Sequence, residues 1–414
     1  MSRKAKPTIF VAMSGGVDSS VAAALLKQAG FDVVGVFMKN WTQSPSAVRP
    51  RAHGREEVEG SQNFCTAEAD FADVRAVCQR LGIPYYTFNF EKEYKKKVLD
   101  YFFAEYKAGR TPNPDVMCNK EIKFDLFLKK CLALGADFIA TGHYAQRVTG
   151  NALGVMGEKS KKARSHNAQL TTHYTLLKGN DPIKDQTYFL HNLTQEQLAK
   201  TLFPVGKYSK KQARALARKF NLPTAEKKDS QGICFIGPID VRTFLKTVIK
   251  TKTGKIVNQE GKVLGAHEGA WFYTIGQRRV EGLAGQPHPL YVIGTDIKKN
   301  LVIVGPDSAT YGKGVILENL HLIGGVSSVE YRVSSGGQTK RPSSRNSQLI
   351  TRNYLLTAKP RYGPDVYPGE LMRKNNRWQF IFDKPERALT PGQSLVIYDQ
   401  KTCLGGGVID KVTK

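Results

Sequence analysis

Cysteine is scarce in this chain: six residues in 414, with no Cys-x-x-Cys pair among them. A disulfide scaffold is thereby excluded. A cysteine with a task in such a chain is expected to be catalytic or redox-active in a reducing cytosol. Long apolar runs are missing too. No stretch approaches the roughly 18 residues that a membrane-spanning helix needs, so no membrane partner is expected. Only seven residues precede the first strand-like run, Thr8 to Met13. A secretory signal or transit peptide does not fit there, and residence in the cytoplasm is the expectation. Acidic residues are the minority charge, 36 Asp plus Glu against 62 Lys plus Arg, for a net charge of +26. A cytosolic chain this basic is expected to meet a polyanion, although a generally basic proteome would produce the same excess. Hydrophobic residues at 41% and charged residues at 24% exclude a wholly disordered chain.

The first part of the chain alternates short apolar strands with amphipathic helices. Strands are expected at Thr8–Met13, Val33–Met38, Pro84–Phe88 and Asp137–Thr141. Between them, Phe71, Val74, Cys78 and Leu81 recur at helical spacing within 67–81, and Ile122, Leu126, Lys129 and Ala133 mark one side of a helix over 122–134. This alternation implies βαβ units and a mostly parallel, doubly wound sheet. Ser209 with Gln212 reads as a capping box opening a helix to Phe220. Its apolar face is Ala213, Leu216, Ala217 and Phe220, and its other face carries Lys210, Lys211, Arg214, Arg218 and Lys219. Beyond about residue 255 short strands with Gly and Pro punctuation take over, as in Val302–Gly305, Trp378–Phe382 and Ser394–Tyr398, and suggest a small β-barrel. Stretches near 43–62, 149–168 and 324–346 lack periodicity and read as loop insertions.

Three motifs carry chemistry. Ser14-Gly15-Gly16-Val17-Asp18-Ser19 follows a strand and opens an apolar helix. Glycines admit a phosphate to the backbone, and a helix N-terminus offers unpaired N–H groups and a positive dipole end. Ser14 and Ser19 supply hydroxyl donors, and Asp18 a carboxylate for Mg²⁺. No Gly-Lys-Ser or Gly-Lys-Thr follows, so this is not a Walker A loop. The second motif is Asn113-Pro114-Asp115-Val116-Met117-Cys118-Asn119, preceded by Pro112. Its prolines are expected to prevent helix before Asn119 and to display a rigid loop, with Asp115 and Cys118 facing one pocket. A lone cysteine is more often a small buried hydrophobe, but polar neighbours and Lys120 favour a reactive thiol. The third is Asp229-Ser230-Gln231-Gly232-Ile233-Cys234-Phe235, with Lys227 and Lys228 upstream as cations that favour thiolate. Cys65, Cys78, Cys131 and Cys403 lack such settings and are expected to be structural.

Strand, glycine loop and helix together resemble the PP-loop ATP pyrophosphatases. The combination of SGGVDS at 14–19, NPDVMC at 113–118 and GICF at 232–235 is similar to the tRNA-specific 2-thiouridylases, the MnmA family, as are ATGHYA at 140–145, KDQTYFL at 184–190 and PRYG at 360–363. The resemblance covers about nine-tenths of the chain. It implies a PP-loop ATP-binding catalytic domain at 1–200, a mixed α+β central domain at 201–306 and a C-terminal β-barrel at 307–414. It implies that Ala12, Met13, Ser14, Gly15, Gly16, Val17, Asp18 and Ser19 bind ATP phosphates with Mg²⁺, while Met38 and Gly142 line the adenosine pocket. Asn113, Pro114 and Asp115 would receive the target base, Asp115 also as acid and base. Cys118 would be the nucleophile and Cys234 the persulfide carrier. His143, Lys184, Asp185, Gln186, Arg361, Tyr362 and Gln393 would touch tRNA.

The implied reaction adenylates the 2-oxygen of the wobble uridine and replaces it with persulfide sulfur, leaving a Cys118–Cys234 disulfide for an external reductant. The implied partners are tRNAs for Lys, Glu and Gln and a persulfide donor protein, a cysteine desulfurase or a relay. No permanent cofactor is expected, since an iron–sulfur cluster on Cys118, Cys234 and Asp115 would be ligand-poor. Two alternatives are another PP-loop tRNA sulfurtransferase acting on a different base and a tRNA-binding protein with an inactive ATP site. Intact Ser14, Gly15, Gly16, Asp18 and Ser19 speak against the second.

Overall fold

The computed structural model describes residues 6–41, 67–151, 172–229, 240–283, 285–324 and 356–414. Cys65, Cys234 and most of the three insertion-like stretches lie outside the described residues. The strand Thr8–Met13 is buried on both sides, as a central parallel strand must be. Ile9, Val11 and Met13 point to one core, under the helices Val17–Gln28 and Ala67–Leu81. Phe10 and Ala12 point to a second, larger core built from the aromatic residues Phe88, Phe90, Phe102, Phe124 and Phe127. The five described strands of this sheet are all parallel, in the order Tyr85–Asn89, Asp32–Lys39, Thr8–Met13, Phe138–Ala140 and Thr201–Leu202. The chain moves outward in one direction from Thr8–Met13, then returns to its other side at Phe138–Ala140. That reversal is a topological switch point, and a crevice opens there beyond the carboxyl ends of the two strands.

The segment around Cys118 differs from expectation. The helix begins at Pro114, and the residues to Asn119 form no extended loop. Asn113 caps it: its side-chain oxygen accepts the N–H groups of Asp115 at 3.1 Å and Val116 at 3.2 Å. Pro114 occupies the first helical position, where no N–H is needed, so proline starts this helix where it would break another. The helix then takes π-helical hydrogen bonding over Cys118–Phe127 and returns to α over Leu128–Ala133. The wider turn rotates the buried face. Ile122, Phe124, Phe127, Leu128 and Cys131 point inward, while Lys129 and Ala133, expected on the apolar side, are exposed.

The helix Lys210–Lys219 matches its expected cap, with Ser209 and Gln212 bonding reciprocally. Ala213 and Ala217 are buried against the helix side of the parallel sheet. A four-stranded sheet follows, in the order Tyr291–Asp296, Leu301–Gly305, Gly254–Val257 and Val263–His267. Six described antiparallel strands close the C-terminal barrel: Tyr311–Leu322, Arg377–Arg387, Tyr367–Lys374, Leu356–Lys359, Ser394–Asp399 and Thr402–Thr413, the last pairing back to the first. The hairpin of Ala145–Asn151 and Thr172–Lys178 leaves the parallel-sheet unit and joins the barrel edge at Thr402 and Cys403. No helix among the described residues is long and apolar enough to cross a membrane.

Candidate active site

The switch point is built for an anion. Gly16 precedes the helix Val17–Gln28 in extended conformation and no side chain caps it. Its first N–H groups therefore face the crevice with the positive end of the helix dipole. Ser14 and Ser19 hydroxyls sit 3.3 Å apart in the same turn. Gly15 is left-handed at φ +73°, and a Cβ there would meet the Asp70 carbonyl oxygen at 2.6 Å. Across the crevice, a Cβ on Gly142 would lie 2.6 Å from the Ser19 nitrogen. Gly142 thus lies against the first turn of the helix Val17–Gln28, and Gly15 against Asp70 of the helix Ala67–Leu81, each as closely as backbone allows, so neither position admits a side chain without a shift. Ala12, Met13 and Met38 are buried at the ends of the two neighbouring strands, with Ala12 in register with Val36 and Met13 with Phe37.

Asp18, the second residue of the helix, is already engaged. The Tyr144 hydroxyl donates to its Oδ1 at 2.7 Å, and Lys210 Nζ reaches both carboxylate oxygens at 2.9 and 2.8 Å. Lys210 also lies 2.8 Å from Asp229, which in turn binds Lys184 and Arg214, each at 2.7 Å. Partial burial would raise the Asp229 carboxyl, but hydrogen bonds from Lys184 and Lys210 outweigh it and bring its pKa down to about 2. Lys184 is pushed up by its bond to Asp229. Burial, with Asp18 beside it, raises the Tyr144 phenol, which stays neutral and donates.

Beyond this network the site runs toward the barrel. Exposed Tyr362 packs its ring on Phe189, with centroids 4.5 Å apart. Burial raises its phenol, and Asp185, Asp181 and Asp115 add to the rise against the opposing charge of Lys184. Gln393 on the barrel donates to the Thr111 carbonyl at 2.8 Å, and Thr111 N–H donates to the Pro391 carbonyl at 2.9 Å. Thr111 also pairs with Thr274 of the central unit through hydroxyls 3.1 Å apart. The lead into Asn113 is therefore held by the barrel and the central unit at once.

The curated relatives have the same extent. Proteins named tRNA-specific 2-thiouridylase MnmA are 44% identical over 421 residues in Alkaliphilus oremlandii (all of both chains) and 43% over 417 in Halalkalibacterium halodurans (all of this chain, 97% of that one). A third, from Streptococcus sanguinis, is 43% identical over 418 residues, spanning all of this chain and 98% of its own. The chain belongs to the tRNA-specific 2-thiouridylase family. Three family models agree in layout: a tRNA methyl transferase HUP domain matches 7–238, a tRNA methyl transferase PRC-barrel domain 242–306, and an aminomethyltransferase beta-barrel domain 338–409.

Not every residue that the thiouridylase resemblance singles out has a free side chain. Cys118 is wholly buried inside the larger aromatic core, where a polar loop was expected. The capped helix carries it inward. His143 is buried with Nδ1 2.7 Å from the Thr141 hydroxyl, and burial holds its pKa well below the ordinary value. Asp185 is buried in an ion pair with Lys359 at 3.1 Å, and both side chains are almost wholly enclosed. Its carboxylate accepts from Thr187 as well, so it faces the protein interior. Gln186 exchanges bonds with Tyr144, side-chain oxygen to N–H and N–H to carbonyl, each at 3.0 Å. Lys184, Arg361 and Tyr362 remain at the surface, Arg361 donating to the Arg387 carbonyl at 2.8 Å. The basic face of Lys210–Lys219 is divided: Lys210 and Arg214 turn inward to carboxylates, while Lys211 and Lys219 stay exposed. Sequence reasoning missed Lys210, Tyr144, Asp229 and Lys359 as members of this constellation. Tyr144 stood in ATGHYA and Asp229 opened the third motif, but nothing local marks Lys210 as the partner of Asp18 or Lys359 as the partner of Asp185.

Proposed function

We propose that the chain is a tRNA-uridine 2-sulfurtransferase that activates the 2-oxygen of the wobble uridine with ATP and replaces it with sulfur. The observation that carries the reading is the uncapped helix N-terminus at the switch point, with Asp18 in its first turn and glycines on both walls. Such a site suits the pyrophosphate portion of a nucleotide. Methyl transfer, which two of the family-model descriptions name, calls for no such loop.

The donor set fits a magnesium polyphosphate: one carboxylate, two hydroxyls and backbone N–H groups. Asp18 would hold the ion, which supplies charge neutralisation as pyrophosphate departs. Ser14, Gly15, Gly16 and Ser19 orient the phosphates, and Met38 and Gly142 bound the adenosine. Asn113, Pro114 and Asp115 receive the uracil, Asp115 relaying its proton. Cys234, carrying a persulfide from a donor protein, attacks the activated carbon with its terminal sulfur, and AMP leaves. The Cys118 thiolate then attacks the sulfur–sulfur bond. Sulfur stays on the base, a Cys118–Cys234 disulfide forms, and a two-electron reductant restores both thiols. Lys184, Gln186, Arg361 and Tyr362 flank the path of the RNA; Asp185 supports them from below.

Nucleoside mass spectrometry of tRNA incubated with ATP and a persulfide donor tests the proposal. Wild type and Cys131→Ser should both yield 2-thiouridine, and Cys118→Ser and Cys234→Ser should yield none. Thiolation by the Cys118→Ser protein would remove that residue from the reaction.

A further inference from the structure

We infer that Lys227 is a positioning residue for sulfur transfer, strapping the root of the stretch that carries Cys234 to the helix that lies on the glycine loop. The inference rests on the reading of Cys234 as the persulfide carrier. Lys227 Nζ donates to Asp70 and to Asp73, each at 2.6 Å, across 157 and 154 residues of sequence. Partial burial opposes its charge, but the bonds to the two carboxylates outweigh it and raise its pKa. Its ammonium is therefore matched by two carboxylates, and it is not the free cation that its place upstream of Cys234 suggests. Both acids belong to the helix Ala67–Leu81, whose Val74, Val77 and Cys78 are buried in the same core as Ile9, Val11 and Met13. The Asp70 carbonyl oxygen is the atom that a Cβ on Gly15 would meet at 2.6 Å. Asp70 thus meets the nucleotide loop through its backbone and Lys227 through its side chain.

Asp229, two residues on, is tied down separately, by Lys184 and Arg214 at 2.7 Å each. It is the last described residue before Cys234, which is the fifth residue after it. Five residues span at most roughly 18 Å, so the point where the chain leaves these anchors limits where a persulfide on Cys234 can act. Rate depends steeply on that placement, since a reacting atom about 1 Å out of position can cost a hundredfold. A single exposed ion pair would hold the chain loosely. Lys227 instead bridges two carboxylates a helical turn apart, on an element fixed by its own buried face. Lys228, between the two anchors, is exposed.

Single-turnover kinetics of enzyme preloaded with persulfide by polysulfide, mixed with ATP and tRNA, separate the two steps. Pyrophosphate release reports adenylation, and 2-thiouridine reports sulfur transfer. Lys227→Met should release pyrophosphate within about twofold of the wild-type rate and form 2-thiouridine at least about tenfold more slowly. Lys227→Arg, which keeps a donor for each carboxylate, should recover most of the loss. Lys228→Met should alter neither step. Asp70→Asn combined with Asp73→Asn should reproduce the defect, and adding the pair to Lys227→Met should slow transfer no further, as for groups that act as one unit. Sulfur transfer in Lys227→Met within about twofold of wild type overturns the inference, and so does a parallel fall of both steps, which marks a lysine that only holds the fold. If that variant does not fold, the paired Asn substitutions decide by the same two rates. Wild-type enzyme that forms no 2-thiouridine would instead overturn the reading of Cys234, and the inference with it.

Discussion

Asp185 and Lys359 show how much a single side chain can be asked to do inside this molecule. Each is almost wholly enclosed, and the carboxylate also accepts from the Thr187 hydroxyl at 2.8 Å. A buried pair contributes little net stability compared with apolar residues, but removing one partner strands the other charge in a low dielectric. Lys359→Met should therefore cost about 3–5 kcal/mol in urea unfolding, and Lys359→Met with Asp185→Leu less than the single change. Because Lys184, Gln186 and Arg361 flank this pair in sequence, tRNA affinity should fall with the single change and recover in part with the double. Two enclosed histidines give the residue scale a pH signature. Burial lowers His191 to about 4 and holds His143 well below its usual value. Both are neutral when folded and take up protons in the unfolded chain once pH falls below about 6.5. Stability should decline by about 1.4 kcal/mol per pH unit for each of them as pH drops from 6.5 toward 4. His191→Gln should flatten that decline in a denaturation series; an unchanged slope would show that His191 is not its source.

At the scale of elements, the turn from Gly109 to Asn119 decides where Cys118 goes. Asn113 caps the helix, Pro114 starts it, and the π-helical stretch turns Phe124 and Phe127 into the same core as Cys118. π-helical turns are uncommon and recur at functional sites, because they re-aim side chains at the expense of hydrogen-bond geometry. Asn113→Ala should cost about 1 kcal/mol in unfolding free energy, while Asn113→Asp should restore most of it. If the cap also sets the base-receiving geometry, thiolation should follow the same order, with Asn113→Ala well below Asn113→Asp. Equal activity in both would confine the residue to holding its helix.

The whole molecule places its charge unevenly. Lys210 and Arg214 are neutralised at the loop, and Lys227 is held by Asp70 and Asp73. Exposed Lys211, Lys219 and Arg361 remain available to a polyanion. With about six phosphate contacts, the slope of log tRNA affinity against log salt should be near −4 to −5. Arg361→Ala should lower its magnitude by roughly one, and Arg214→Ala should not. A flat dependence up to physiological salt would show that the excess positive charge serves no RNA. The barrel enters the same balance through Gln393, whose donation to the Thr111 carbonyl ties it to the lead into Asn113.

Much of this was legible without coordinates. Alternating apolar strands and helices in the first half report a parallel sheet, because each residue's burial there depends on neighbours two to four positions away. The glycine loop, the capping box at Ser209 and the short C-terminal strands are local in the same sense, and each appears where the pattern puts it. Proline before Asn119 misled because the same residue that breaks a helix inside it starts one at its first position, and only the Asn113 side chain decides between them. The long-range pairings were out of reach altogether. Lys210 meets Asp18 across 192 residues, Lys359 meets Asp185 across 174, and Gln393 meets Thr111 across 282. No periodicity encodes such separations. The sequence by itself determined the fold class and the family. The tertiary structure alone decided which lysines face carboxylates and which face solvent, since a charged side chain is stabilised by whatever the closed fold brings within about 3 Å of it.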